Sequence, residues 1–356
     1  MEPDQVHRDE TPWLDVTASS DLADWLREQR VGLAFTTYQT GKLFLLGVNP
    51  GGALSLFERT FSRAMGLCGD GQTLWMSSHH QFWRFENALR AGHLYEGYDR
   101  LFVPRVGYTT GDLDVHDVAQ TAPHQIVFVA TRFNCLATLS ERLSFAPLWR
   151  PPFIDELVGE DRCHLNGVAV ADGAARYVTA CAATDEPEGW RARRRDGGCV
   201  IDVETNQIVA SGLSMPHSPR LRDGELWLHN SGAGLFGRID VRTGRFEPVA
   251  ACPGYLRGLC FVGDFAVVGL SKPRCDGALA GLELDEWLAR DGDGPMCGLQ
   301  VIDLRSGRVV HWLSLGGMVS ELYDVVALPN VARPMVLGFR SDEISRLIAI
   351  DSDDHV

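Results

Sequence analysis

Apolar and polar positions alternate along most of this chain in runs of strand length, broken by Gly, Asp, Asn or Pro. That is the pattern of β-strands joined by tight turns. Residues 1–19 are polar and read as extended. Ser20 then precedes DLADWLREQR, where Leu22, Trp25 and Leu26 share one face, so a short N-capped amphipathic helix is expected. From Val31 onward one frame recurs: a small or polar opening, an apolar strand, a turn, and a second, strongly apolar strand. The six copies are VGLAFTTYQTGKLFLLG, HDVAQTAPHQIVFVAT, LNGVAVADGAARYVTA, SPRLRDGELWLHNSG, RGLCFVGDFAVVGLS and YDVVALPNVARPMVLGF. Each reads as a β-hairpin with Gly, Asp or Pro between its strands.

The copies begin at residues 31, 116, 165, 218, 257 and 323, and three of the intervals are 49, 53 and 39 residues. Those intervals approach the ~40–50 residues of a four-stranded propeller blade. A second, outer hairpin follows most of the inner ones, with near-copies in IDVETNQIV, IDVRTGRF and IDLRSGRVV. The long intervals hold insertions. One covers about residues 53–100, with helices expected in LFERTFSRAMGL and QFWRFENALRAG; the other is LAGLELDEWLAR. After Tyr323 about three strands fit, so a strand from the N-terminal segment, Trp13–Thr17, has to close the ring. The expected fold is all-β: a six-bladed β-propeller with a helical insertion in the first blade and a short N-terminal helix. A seventh blade would require residues 53–100 to be a blade in disguise. No linker divides the chain, so residues 1–356 read as one domain, with 1–30 as N-terminal segment and helix and 31–356 as blades.

Composition narrows the partners. Lys and Arg number 33 against 47 Asp and Glu, for a net charge of −14. Phosphate-backbone binding needs clustered cations, so nucleic acid is not an expected partner. No apolar run reaches the length of a membrane span and no signal-like start is visible, so the expected location is the cytoplasm and no membrane partner is expected. The nine cysteines include no C-x-x-C and mostly sit in apolar runs, which reads as buried thiols in a reducing compartment.

In a propeller the first strand of each blade lines the central channel, so residues just before those strands gather at one mouth. Here they are polar: Asp112, Asp114, His116 and Asp117; His164 and Asn166; His217 and Ser218; Tyr255 and Arg257; Glu321, Tyr323 and Asp324. His116, His164 and His217 stand at corresponding places in three successive blades. Imidazoles converging within about 4 Å of a point make a divalent-metal site with room for water or substrate. Iron, zinc or manganese would suit them. Asp117 and Asp324 could orient the imidazoles or act as ligands, while an oxygen set of Asn166, Asp324 and Glu321 would take Ca²⁺ or Mg²⁺ instead. Glu321 and Tyr323 are the candidate acid/base groups, and Arg257 the candidate anchor for a carboxylate or phosphate. His229, Asn230, His79 and His80 read as structural or solvent-facing. RARRR (191–195) reads as a solvated charge run, and PLWRPPF as packing between blades. Nucleophile-elbow, phosphate-loop, zinc-helix and dinucleotide motifs are absent.

The string TYQTGKLFLLG, VPRVGYTTGDLDVHDVA, PLWRPPF, DRCHLNGVAVADG, GLSMPHSPR, CPGYLRGL, VVGLSKPR, CGLQVIDL and ELYDVVALP resembles a bacterial family of conserved proteins of unknown function with a propeller-like domain. The resemblance runs from about Leu33 to Arg346. It implies the propeller, places weight on His116, His164, His217 and Arg257, and implies no activity. HLNGVAVADGAARYVTA is also similar to the inner hairpin of six-bladed lactonases of the gluconolactonase and regucalcin kind, which implies Asn166 as ligand of a divalent ion. Two functions of different class follow. One is a metal-dependent hydrolase, lyase or isomerase acting on a small acidic or peptide-like substrate, with oxygen activation at a three-histidine iron as a variant. The other is a propeller that binds a protein or peptide without chemistry. Convergence of the polar residues at the axis favours the first, and spread around the rim favours the second.

Overall fold

A computed structural model describes residues 12–274, 281–291 and 294–350. The chain forms six antiparallel sheets around a central channel. From the channel outward, the first blade runs Leu322–Pro329, Val31–Thr37, Lys42–Val48 and Leu54–Thr60, and the second runs Leu67–Gly69, Thr73–Ser77, Gln81–Asn87 and Arg100–Thr109. The third consists of Val115–Ala122, Gln125–Ala130, Cys135–Thr138 and Ala146–Trp149; the fourth of Leu165–Ala171, Ala174–Ala180, Gly198–Asp202 and Gln207–Leu213. The fifth is Pro216–Arg222, Glu225–Asn230, Leu235–Asp240 and Arg245–Ala251, and the sixth Tyr255–Val262, Phe265–Ser271, Gly298–Asp303 and Arg308–Gly317.

Leu322–Pro329 closes the ring as the innermost strand of the first blade, joining three strands from residues 31–60. Leu14–Ala18 pairs with Arg308–Gly317 as a fifth, outermost strand of the sixth blade, so the expected closure of three C-terminal strands by Trp13–Thr17 is corrected. Pro334–Val336 adds a parallel strand to the edge of the second blade.

Six blades form, but their allotment differs from the sequence reading. Residues 53–100 hold no helical insertion: Leu54–Thr60 and Gln81–Asn87 are strands, and most of a blade occupies the segment. Phe82 and Phe85 are both fully buried, and a register shift lies between Arg84 and Phe85. Such a bulge resets the inward-outward alternation, leaving two apolar residues three apart, a helix-like spacing. The copies at Val31 and Tyr323 meanwhile belong to one blade, so the count remains six.

The outer-hairpin repeat has a local cause. Asp202 Oδ1 accepts the N–H groups of Glu204 and Thr205, Asp240 Oδ1 that of Arg242, and Asp303 Oδ1 that of Arg305. Each is an aspartate-stabilised turn between third and fourth strands. In the inner hairpins, Asp172-Gly173 and Asp223-Gly224 take positive φ at both residues, the Asp-Gly hairpin turn. The expected N-terminal helix is present as Leu22–Glu28, and the second insertion carries a helix of its own, Glu283–Asp291. The first is preceded by Asp21 rather than capped by Ser20, with no side-chain cap; the Asp21 carboxylate meets His311 instead.

Among the described residues six apolar clusters lie one at each blade–blade interface, and two smaller ones pack under the Glu283–Asp291 helix and beside Pro334–Val336. Hydroxyls at the ends of second strands stitch blade to blade. Thr36 Oγ1 donates to the Met65 carbonyl (2.5 Å), Thr131 Oγ1 to Leu165 (2.7 Å), Ser231 Oγ to Leu256 (2.9 Å) and Ser271 Oγ to Leu322 (2.6 Å). The eight described cysteines are free thiols, six of them buried, and Cys275 lies outside the described residues. Among the described residues no helix is long and apolar enough to cross a membrane.

Within the channel, Arg220 binds Asp117 through both oxygens (2.7 and 3.0 Å) and lies 3.9 Å from Asp324. Asp117 also accepts the N–H of Val168 on the next blade (3.0 Å), and Asp324 that of Leu67 on its own next blade (2.9 Å). Five blades thus meet at one guanidinium. Asp117→Ala would leave that charge short of its bidentate partner, and breaking a buried pair in this way costs several kcal/mol. Because the Arg220 side chain keeps 21% exposure, the lower end applies. Urea unfolding should show a loss of about 3 kcal/mol; a loss under about 1 kcal/mol, the value of an exposed pair, would show that the clamp does not hold the ring.

Candidate functional site

Register defines one mouth of the channel. Val115, Leu165, Pro216 and Leu256 occupy the same rung of their inner hairpins, opposite Ala130, Ala180, Asn230 and Leu270. The following residues are His116, Asn166, His217 and Arg257, and Tyr323 follows Leu322 in the first blade. His116 and His217 are therefore equivalent, but His164 is not. It precedes its strand, at the place of Asp114 and Met215, and all three have left-handed backbone (φ 50°, 52° and 49°). Asp161 and Ser218 share that strain (φ 46° and 50°). Left-handed non-glycine residues cost energy and concentrate where geometry is functional.

A cavity of about 210 Å³ opens at this mouth, the volume of about seven waters at ~30 Å³ each. Of the nine residues singled out from sequence, His116, His164, Arg257 and Tyr323 line it. The His116 ring lies 4.7 Å from His164, edge to face, and 5.7 Å from Tyr323. His164 Nδ1 is 2.8 Å from Asp161 Oδ2. The carboxylate can only accept, so Nδ1 carries a proton, and in the neutral ring the lone pair lies on Nε2. Trp190 stacks on the His164 ring at 4.2 Å and donates its indole N–H to the same Asp161 oxygen (3.0 Å). His116 is fixed likewise, with Nδ1 on the Asp114 carbonyl (2.9 Å). Burial lowers its pKa to about 4, against the opposing pull of Asp114, so it is neutral at pH 7.

Arg257 is 7% exposed. Its Nη1 donates to His217 Nε2 (2.9 Å), and its guanidinium lies 5.3 Å from the Tyr323 ring centroid. No carboxylate is paired with it among the described residues. Tyr323 is 2% exposed, and its hydroxyl has no hydrogen-bond partner among the described residues. Burial drives that phenol well above its usual pKa, against the lowering charge of Arg257, so it stays protonated.

Several expectations are corrected here. His217 does not offer a lone pair to a metal: Nε2 accepts from Arg257, which places the ring proton on Nδ1, facing Ser218 Oγ (2.8 Å). Burial first, then the Arg257 charge, hold this imidazole well below its usual pKa. A guanidinium at that distance also repels a divalent cation. Among the described residues no three His, Cys, Asp or Glu side chains are grouped to hold a metal ion. The oxygen set does not assemble either. Glu321 is ion-paired with Arg274 (2.8 Å) and does not line the cavity; Asp324 accepts the N–H groups of Leu67 and Val325. Asn166 donates to the Pro216 carbonyl (2.8 Å), and no other oxygen of the set joins its unpartnered Oδ1. Asp117 and Asp324 face Arg220 and orient no imidazole.

Of the groups that do orient the imidazoles, Asp114 was placed at the mouth without a role and Asp161 was not singled out; the Asp161-x-x-His164 spacing in DRCH was the available signal. Trp190, Tyr38 and Arg274 also line the cavity. Arg191, within the basic run, does too. His229 is structural as expected, fully buried with Nε2 on the Gly258 carbonyl (2.9 Å), and Trp149 packs to the next blade through Asn206 (2.7 Å).

Residues 20–337 match the domain-of-unknown-function family DUF4915, so the chain belongs to that family, in keeping with the uncharacterised propeller family expected from its motifs. No protein of curated function matches the sequence. Among solved structures, the nidogen/laminin complex is similar at TM-score 0.53 and 11% identity, over 84% of this chain and 99% of that one. A protein of unknown function from Bacteroides caccae gives 0.49 at 11%, over 84% and 98%. Virginiamycin B lyase from Staphylococcus aureus gives 0.39 at 11%, over 85% and 99%. These likenesses concern the fold alone.

The buried histidines set a pH dependence. His116, His217 and His229 have folded pKa values below the unfolded 6.5, two of them at about 4 and about 3. Below pH 6.5 the unfolded chain takes up protons that the folded one refuses, so their stability contribution is complete above 6.5 and is lost on acidification, by about 1.4 kcal/mol per pH unit for each. Asp324, raised by burial to about 7, opposes with one group of the other sign. Urea unfolding should therefore show stability falling by about 2–3 kcal/mol per unit between pH 6 and 5, above the ordinary carboxylate range. A flat profile there would mean that these imidazoles ionise in the folded protein.

Proposed function

We propose that this member of the DUF4915 family is an enzyme that moves a proton on a small carboxylate-bearing substrate at the channel mouth, by elimination or isomerisation. The observation that carries the reading is Arg257, a buried guanidinium against a neutral imidazole and an aromatic ring, with no carboxylate paired with it among the described residues. A buried cation without a counter-ion is costly, and an anionic ligand would remove that cost. Beside it stand a base and an acid. His164, held by Asp161, presents Nε2 to take a proton from the atom next to the substrate carboxylate. The protonated hydroxyl of Tyr323 gives one to the far carbon in an isomerisation, or to the leaving group as its bond to carbon breaks in an elimination, and water carries the His164 proton to the Tyr323 phenolate to reset the pair. His116, neutral and 4.7 Å from His164, adds no charge against protonation of its neighbour and offers Nε2 as an acceptor for a substrate hydroxyl.

Convergence of these groups in one axial cavity, rather than around the rim, favours an enzyme over a propeller that only binds a protein or peptide. A metal on three histidines is no part of this reading, since the His217 lone pair is already engaged.

The test is solvent-deuterium incorporation into a panel of hydroxy-, keto- and amino-carboxylates, followed by proton NMR. Wild type should exchange a carbon-bound proton next to the carboxylate of at least one of them. His164→Ala should slow exchange by about 10²–10⁴-fold, the usual worth of a general base, and Tyr323→Phe should slow turnover more than exchange. Absence of exchange in wild type, or full exchange in His164→Ala, would overturn the reading.

A further inference from the structure

The axial cavity is the inner of two chambers. A second cavity of about 480 Å³ lies outside it, and Tyr38, Asp114, Asp161 and Arg191 line both. The two chambers differ in charge. Besides the shared Asp114, Asp161 and Arg191, the inner one adds Arg257, with no carboxylate partner among the described residues, and Arg274, ion-paired with Glu321 at 2.8 Å.

Carboxylates dominate the outer chamber. Asp112, Asp114, Glu160, Asp161 and Glu188 line it, against the guanidiniums of Arg63, Arg132 and Arg191. Its edge carries more acid. Arg162 is surrounded by Asp155, Glu156, Glu160 and Asp185, all within 3.1 Å, so four carboxylates share one cation. Asp114 stands at the neck, strained into left-handed backbone (φ 52°) with Arg63 3.4 Å from its carboxylate. The unpartnered Tyr323 hydroxyl and the unpaired Arg257, each over nine-tenths buried, line the inner end.

A purely anionic substrate would cross this acidic rim against repulsion. A molecule with a cation at its other end would be drawn in and aligned. We propose that the substrate is a zwitterion, with its carboxylate on Arg257 in the inner chamber and a protonated amine at the neck against Asp114. This rests on the reading of Arg257 above and adds the second charge and its orientation. The amine sets the direction of entry, so that carbon next to the carboxylate arrives at His164 and Tyr323.

The probes are γ-aminobutyrate and δ-aminovalerate against butyrate and valerate, titrated calorimetrically into the full chain at pH 7 and low salt. The amino acids should bind about tenfold more tightly than the matched alkanoates, the scale of one charge-assisted hydrogen bond. Asp114→Asn should erase that difference while leaving alkanoate affinity unchanged or improved, and Arg257→Gln should weaken both series. Asp112→Asn and Arg257→Lys serve as second variants if either first one fails to fold. Equal affinities for the two series, with binding still sensitive to Arg257, would overturn the zwitterion and leave the carboxylate reading standing. No binding of either series, or binding indifferent to Arg257, would overturn both.

Discussion

A guanidinium gripped by one carboxylate and approached by a second, Arg220 with Asp117 and Asp324, is the contact on which the arrangement of the channel depends. Each carboxylate also receives a backbone N–H from a neighbouring blade, so the group fixes inner strands to one another rather than merely neutralising charge. Buried ion pairs add little net stability compared with apolar packing, and their better-attested role is geometric. Here the geometry matters one residue away. His116 precedes Asp117 and Tyr323 precedes Asp324, so holding the two carboxylates also places an imidazole and a phenol at the mouth, with the clamp deeper in the channel.

What stands at that mouth is poorly suited to stability. Left-handed backbone at Asp114, Asp161, His164, Met215 and Ser218, a buried cation without an anion and a buried hydroxyl without a partner all raise the energy of the folded state. The six apolar interfaces between blades and the hydroxyl stitches across four of them offset this. Other left-handed residues, such as Asp172 and Asp223, serve hairpin turns, so it is the unpaired cation and hydroxyl that set this mouth apart as a place where groups are kept ready for a ligand.

Much of this was legible in the residues. The Asp-Gly turns and the repeated aspartate of the outer hairpins announce blades because both act over two or three residues. The second blade was hidden because a bulge between Arg84 and Phe85 gives buried phenylalanines a helical spacing, a feature that only the partner strand reveals. His116, Arg257 and Tyr323 could be placed because inner strands begin at regular points. His164 could not be set in its true frame, because it stands two residues before Asn166, the register equivalent of His116, and only the pairing of the strands reveals that offset. Glu321 looked like an acid/base group until Arg274, distant in sequence, turned out to claim it. Asp161 was missed because its role depends on where His164 points.

The central claim is that Arg257 is a buried cation awaiting a carboxylate. Its most direct test is the unfolding free energy of wild type and Arg257→Met with and without saturating propionate, chloride serving as matched control anion. The account predicts that propionate stabilises wild type by mass action and leaves Arg257→Met unchanged. Equal stabilisation of both proteins, or of neither, would contradict it.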